Sequence, residues 1–188
     1  MSRFFLLDSW YFITVPTDRH RPIFKDLALR ELLRVRLEEA FVKFGVECPD
    51  YGIMEDHYHF LGSFGKSDVI PTMLQWINGG VSFQVKRQVD IASPVWGEYH
   101  VFVPMKESLL DRVRGYVIGN PLKHGDVTDL QELFDWPFSS YRYVIVREGK
   151  EYADDVISSV MSLGEKEFFE SLPTRITAGL KSLGSARD

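Results

Sequence analysis

Leu29, Leu32, Leu33, Leu37, Ala40, Phe41 and Phe44 recur at steps of three and four residues and stop at Gly45. This spacing predicts an amphipathic helix over about 25–44, whose apolar stripe has to be covered by some other element. The candidates for that cover flank it. Residues 9–16 are β-branched and aromatic and end at a proline, so they read as a buried strand, followed by a polar loop over 17–22. Residues 46–54 and 57–64 read as two strands joined at the acidic corner Glu55-Asp56. A second helix fits 68–89 through Met73, Leu74, Ile77, Val81 and Val85, with Gly79-Gly80 as a place to kink or loosen. A strand over Trp96–Val103 and a helix over 107–120, bounded by Pro121, complete the order. Trp136 to Tyr141 forms a compact turn. The order predicts an α+β sandwich, an antiparallel sheet with helices packed against it.

Bulk properties narrow the class. At 188 residues and 45% hydrophobic the chain can bury one core. We divide it into a main domain over 1–146 and an extension over 147–188. The extension has helical patterning through Val156, Val160, Met161, Phe168, Phe169 and Leu172, and reads as a brace. The single cysteine, Cys48, closes the disulfide-scaffold and thiolate-cluster readings and makes a reducing cytoplasm the expected location. No apolar run approaches the roughly 20 residues needed to span a bilayer. Phe4 to Leu7 is cut short by Asp8, too early for a signal-peptide core. The net charge is −5, with 16 basic against 19 acidic side chains in 1–146 and 6 against 8 beyond. Binding to nucleic acid through bulk positive charge is therefore not expected, and any such function needs local chemistry.

Two short patterns carry that chemistry. In His57-Tyr58-His59, strand alternation aims both imidazoles to one side, either as a cation grip or as two ordinary strand histidines. Tyr116 and Asn120, four apart near a helix end, stack a phenol and an amide on one face, or are a packed tyrosine and a helix-ending asparagine. Taken together, two imidazoles and one amide oxygen suit Mg²⁺ or Mn²⁺ with positions left for phosphate oxygens. A phenol is a poor nucleophile until a cation or base assists it.

These residues sit in longer stretches that resemble a known family. Phe12-Ile13-Thr14-Val15 with Arg21-Pro22-Ile23-Phe24, and Ile53 to Leu61 around the histidines, resemble the opening and metal motif of the single-tyrosine HUH transposases of the insertion-sequence type. Tyr116 to Gly125 resembles their nucleophile helix and Asp135 to Tyr141 their closing motif; the nearest branch is the REP-associated tyrosine transposase-like proteins. The resemblance covers about residues 9–145. It implies a ferredoxin-like (RRM-like) antiparallel sheet with helices mainly on one face, and a metal-dependent single-stranded DNA endonuclease and strand transferase. In this family the tyrosine forms a 5′-phosphotyrosine link, often at a hairpin, and the strand is rejoined by transesterification. Residue by residue, the resemblance makes Tyr116 the nucleophile and His57, His59 and Asn120 the ligands of Mg²⁺ or Mn²⁺. A homodimer is left open as the assembly. Asp56, preceded by Glu55, departs from the asparagine usual before the first histidine, and both carboxylates are candidates to support the histidines from outside or to repel an incoming phosphate.

Arg19, His20, Arg21, Lys86, Arg87, Lys123, His124 and Arg142 are candidates for a phosphate-contacting surface or are solvated charges. Trp10, Trp76, Trp96 and Tyr99 are stacking platforms or, for most of them, core. Three functions stay open: the tyrosine strand transferase, a hydrolytic metal-dependent phosphodiesterase, and a domesticated nucleic-acid-binding module without catalysis.

Overall fold

The computed structural model describes residues 9–66, 68–91, 93–102, 107–172 and 175–178. Phe4–Leu7, the end of the expected strand at Val103 and the last ten residues lie outside that set. Five strands form one antiparallel sheet in the order β2-β3-β1-β4-β5: β1 (Ser9–Pro16), β2 (Glu47–Ile53), β3 (His57–Phe64), β4 (Tyr99–Phe102) and β5 (Arg175–Ala178). The expected α+β antiparallel architecture is the one observed. The last strand comes from the C-terminal segment and pairs with the edge of β4.

Alternation along β1 and β3 builds two cores. Tyr11, Ile13, Val15, Tyr58 and Phe60 face one side, where α1 (Leu27–Lys43) and α2 (Val69–Gln88) cover them. Phe12 and Leu61 face the other, against Val113, Tyr116 and Val117 of α3 (Glu107–His124) and Val160 of α6 (Lys150–Met161). The one-face packing expected of helices describes α1 and α2, while the opposite face carries α3 and the C-terminal helices. Two short helices, α4 (Leu130–Asp135) and α5 (Tyr141–Glu148), lead into α6, and α7 (Glu165–Glu170) follows it.

Local chemistry sets the helix ends. Asp26 caps α1, its Oδ1 accepting from the Ala28 N–H at 2.8 Å, and Gly45 takes φ +63° just beyond the helix. Gly79-Gly80 does not break α2: the Arg36 guanidinium lies where a Gly80 Cβ would be, so the glycine there serves close packing.

Pro121 does not end α3, contrary to the sequence reading; the helix runs on to His124. Proline has no N–H to offer the carbonyl four residues back. That carbonyl, of Val117, is packed against Gly52 of β2 so closely that a Cβ would overlap it. The neighbouring Ile118 carbonyl accepts the Ser139 hydroxyl at 2.7 Å. Ser139 belongs to the turn Trp136–Tyr141, which docks on β2 through Ile53 N–H to Phe138 O (2.8 Å) and Ser140 N–H to Tyr51 O (2.9 Å). The polar-aromatic turn thus ties β2 to the helix that carries Pro121 and Tyr116.

Candidate active site

His57 and His59 point to the same side of β3, an interior strand, with ring centroids 4.6 Å apart. Tyr58 points the other way and is buried against Trp96. Each imidazole is held by its Nδ1. Thr14, directly across on β1, meets His59 Nδ1 at 2.8 Å through its hydroxyl, and Asp56 Oδ1 meets His57 Nδ1 at 2.6 Å. The Nε2 atoms of both rings are buried with no hydrogen-bond partner. Glu55, the other carboxylate at this corner, bonds to neither histidine.

α3 brings the second pair. Asn120 is fully buried, and neither its amide oxygen nor its nitrogen is bonded. Its Cβ lies beside Gly52, the cross-strand partner of His59. Tyr116, one turn earlier, sets its ring 5.3 Å from that of His59. Its hydroxyl is beside Asn120 and Glu165 but meets neither with hydrogen-bond geometry. Four unpartnered buried groups on one side of the sheet are costly unless something completes them. Among the described residues no three His, Cys, Asp or Glu side chains form a metal cage. His124 sets its ring 5.2 Å from that of His57, and the Asn120 amide oxygen is of a type that suits a divalent cation.

The site opens into a cavity of about 300 Å³. All five histidines of the chain line it: His20, His57, His59, His100 and His124. Asp56 and Glu165 add carboxylates. Burial, with the neighbouring charges of His57 and His124, holds the pKa of His59 well below the usual imidazole value, so its ring is neutral and ready to ligate. Burial pushes the Asp56 carboxyl up, but hydrogen bonds and charge from His57 and His20 outweigh it and bring it down to about 2. Burial and the charge of Glu165 drive the Tyr116 phenol up, against a smaller lowering by Asn120.

The C-terminal segment does more than brace. Phe168 of α7 lies flat on the Tyr116 ring, Phe169 packs edge-on to it, and Tyr116 is 1% exposed. Lys123 Nζ donates to the Leu163 carbonyl at 2.5 Å, just before α7, and stands 5.4 Å from the center of the Tyr116 ring. A phosphate cannot reach the phenol oxygen while α7 occupies this position.

The basic candidates do not form one surface. His20, His124 and Lys123 are at the site, and Arg21 is next to it, tied to Asp18 and the Pro94 carbonyl. Arg19 is exposed on the adjoining loop. Lys86 and Arg87 end α2 on the opposite face of the sheet, and Arg142 lies on α5 over Phe134. Trp96 is core, Trp10 is partly buried against the second cluster, and Trp76 packs at the rim of the first. Sequence reading missed Thr14, His100, Glu165 and Phe168. Only Thr14 left a usable signal, since it falls on the histidine-facing side of β1.

Residues 7–120 match the family described as "Transposase IS200 like". Among solved structures, a REP-associated tyrosine transposase bound to a REP hairpin superimposes with a TM-score of 0.64 at 17% identity, over 81% of this chain and 88% of that one. A candidate transposase from Deinococcus radiodurans R1 gives a TM-score of 0.43 at 17% identity, over 62% and 93%. No protein of curated function matches the chain in sequence. No helix among the described residues is long and apolar enough to cross a membrane.

Proposed function

This chain belongs to the IS200-like transposase family, and from that premise we propose that it cuts and rejoins single-stranded DNA with Tyr116 as nucleophile. A divalent cation, Mg²⁺ or Mn²⁺, would be held by His57, His59 and Asn120. The observation that carries this reading is the set of buried, unpartnered atoms: His57 Nε2, His59 Nε2, the Asn120 amide and the Tyr116 hydroxyl. When bound, the cation supplies Lewis-acid polarization of the scissile phosphate. The chain's own residues do the rest. Thr14 and Asp56 fix the two rings, and β3 aims them. Tyr116 gives up its proton, forms an O–P bond to the phosphate and displaces the DNA 3′-oxygen, which leaves as a hydroxyl once protonated. The reverse displacement rejoins a strand without an external energy source.

DNA hairpins are the first probes to try, because the solved relative carries one. The protein is incubated with Mn²⁺ and labelled hairpins bearing single-stranded flanks, and products are run on a denaturing gel. A protein–DNA adduct in the native protein, absent in Tyr116→Phe, is the expected result. Cleavage at native rate without an adduct in both would point to hydrolysis by water. That second reading is favored by one observation, the exclusion of the Tyr116 hydroxyl from solvent.

A further inference from the structure

We propose that Asp56 is a positioning residue for the cation, setting the proton of His57 on Nδ1 so that Nε2 faces the site as a bare lone pair. This rests on the reading of His57 as a ligand. The two histidines are supported by chemically different partners. Thr14 meets His59 through a hydroxyl, which can donate or accept and so permits either tautomer. Asp56 meets His57 through a carboxylate, which when ionized only accepts. In its neutral form the His57 ring then carries its proton at Nδ1, and its buried Nε2 is left without one.

The carboxylate and the backbone that carries it are both held. Its Oδ2 is 3.0 Å from His20 Nδ1. Its backbone carbonyl accepts the Thr17 N–H at 2.7 Å, and the adjoining Glu55 carbonyl accepts the Phe24 N–H at 2.8 Å. Loop 17–24 thus clamps the backbone of the corner between β2 and β3, and the carboxylate turns away only by giving up both His20 and His57. An outer carboxylate also makes the ring a stronger donor, so Asp56 binds the cation through His57 without touching it.

The test uses the full chain and two readouts. In the metal-free protein, ¹⁵N shifts of His57 report the Nδ1–H tautomer, moving toward Nε2–H in Asp56→Ala. Titration with Mn²⁺ alone, following free Mn²⁺ by electron paramagnetic resonance, is expected to show a Kd raised about 10–100-fold in Asp56→Ala. Asp56→Asn, which keeps the size and loses the charge, should fall between. An unchanged Kd in Asp56→Ala, with binding lost in His57→Ala, overturns the role of Asp56 and leaves the cation site standing. An unchanged Kd in His57→Ala overturns both. An Nε2–H tautomer in the native protein also overturns the proposal, whatever the affinity.

Discussion

Phe168 lies face to face on Tyr116, ring centroids 3.8 Å apart and planes 9° from parallel. Two phenyl-sized rings at this distance exclude everything else from that side of the phenol. The residue proposed to attack DNA is therefore stored under a helix of 6 residues that comes from the far end of the chain.

Loosening this cover should speed the reaction. An aromatic pair contributes about 0.5–1.5 kcal/mol beyond the area it buries, and ~1.4 kcal/mol corresponds to a tenfold change in population. Phe168→Ala is expected to raise the rate of adduct formation with hairpin DNA by about tenfold. Thermal unfolding of the same variant checks that the fold survives. An unchanged rate in a folded variant would mean that opening of α7 does not limit access.

Removing Asp50 should be costly. It is fully buried in β2, and its two oxygens meet Arg114 of α3 at 2.7 Å and Arg147 of α5 at 2.9 Å. Asp50→Ala leaves Arg114 charged and enclosed without its buried carboxylate. A loss of about 3–5 kcal/mol is expected in urea denaturation. A loss below 1 kcal/mol would mean that Tyr152 and Asp111, the other partners of Arg114, are sufficient.

Stability should fall with acid partly through His59. Its ring stays neutral in the fold well below the ordinary value of 6.5, because burial, then His57 and His124, oppose its charge. The unfolded chain takes up a proton as pH drops past 6.5 and the folded chain does not. Its contribution is therefore fully present above that pH and is lost progressively toward the lower folded pKa. His59→Gln, with no titrating ring, should flatten the stability curve below pH 6.5. Denaturation at pH 8, 6.5 and 5 compares the two proteins.

The two imidazoles proposed as ligands would bias the choice of cation. Imidazole suits transition metals, whereas Mg²⁺ prefers carboxylate, carbonyl and water oxygens. Mn²⁺ is expected to bind at least about tenfold more tightly than Mg²⁺, measured by competition in calorimetry. Chelation by EDTA should stop adduct formation and added Mn²⁺ should restore it.

Much of the site was legible because it obeys local periods. His57 and His59 share a face since strands alternate every residue, and Tyr116 and Asn120 align since helices repeat every 3.6. The stripe from Leu29 to Phe41, all but Leu32 buried or nearly so, likewise announced α1 and its packing on the sheet. The motif resemblance extended this to the fold class and the transposase family.

Nonlocal contacts decided the remainder. Pro121 reads as a helix end, yet α3 runs through it, packed at Val117 against Gly52 of β2 and bonded at Ile118 by Ser139 of the turn at 136–141. Lys86 and Arg87 look like company for Lys123, but α2 packs on the opposite side of the sheet from α3. His100 lies in a segment whose patterning is that of a plain strand, yet it lines the same cavity as His57. Phe168 fits an ordinary helical stripe, and only packing shows that its partner is Tyr116. A period specifies which residues of one element share a face; which two faces meet depends on burial across dozens of intervening residues, and that is settled only when the chain closes on itself.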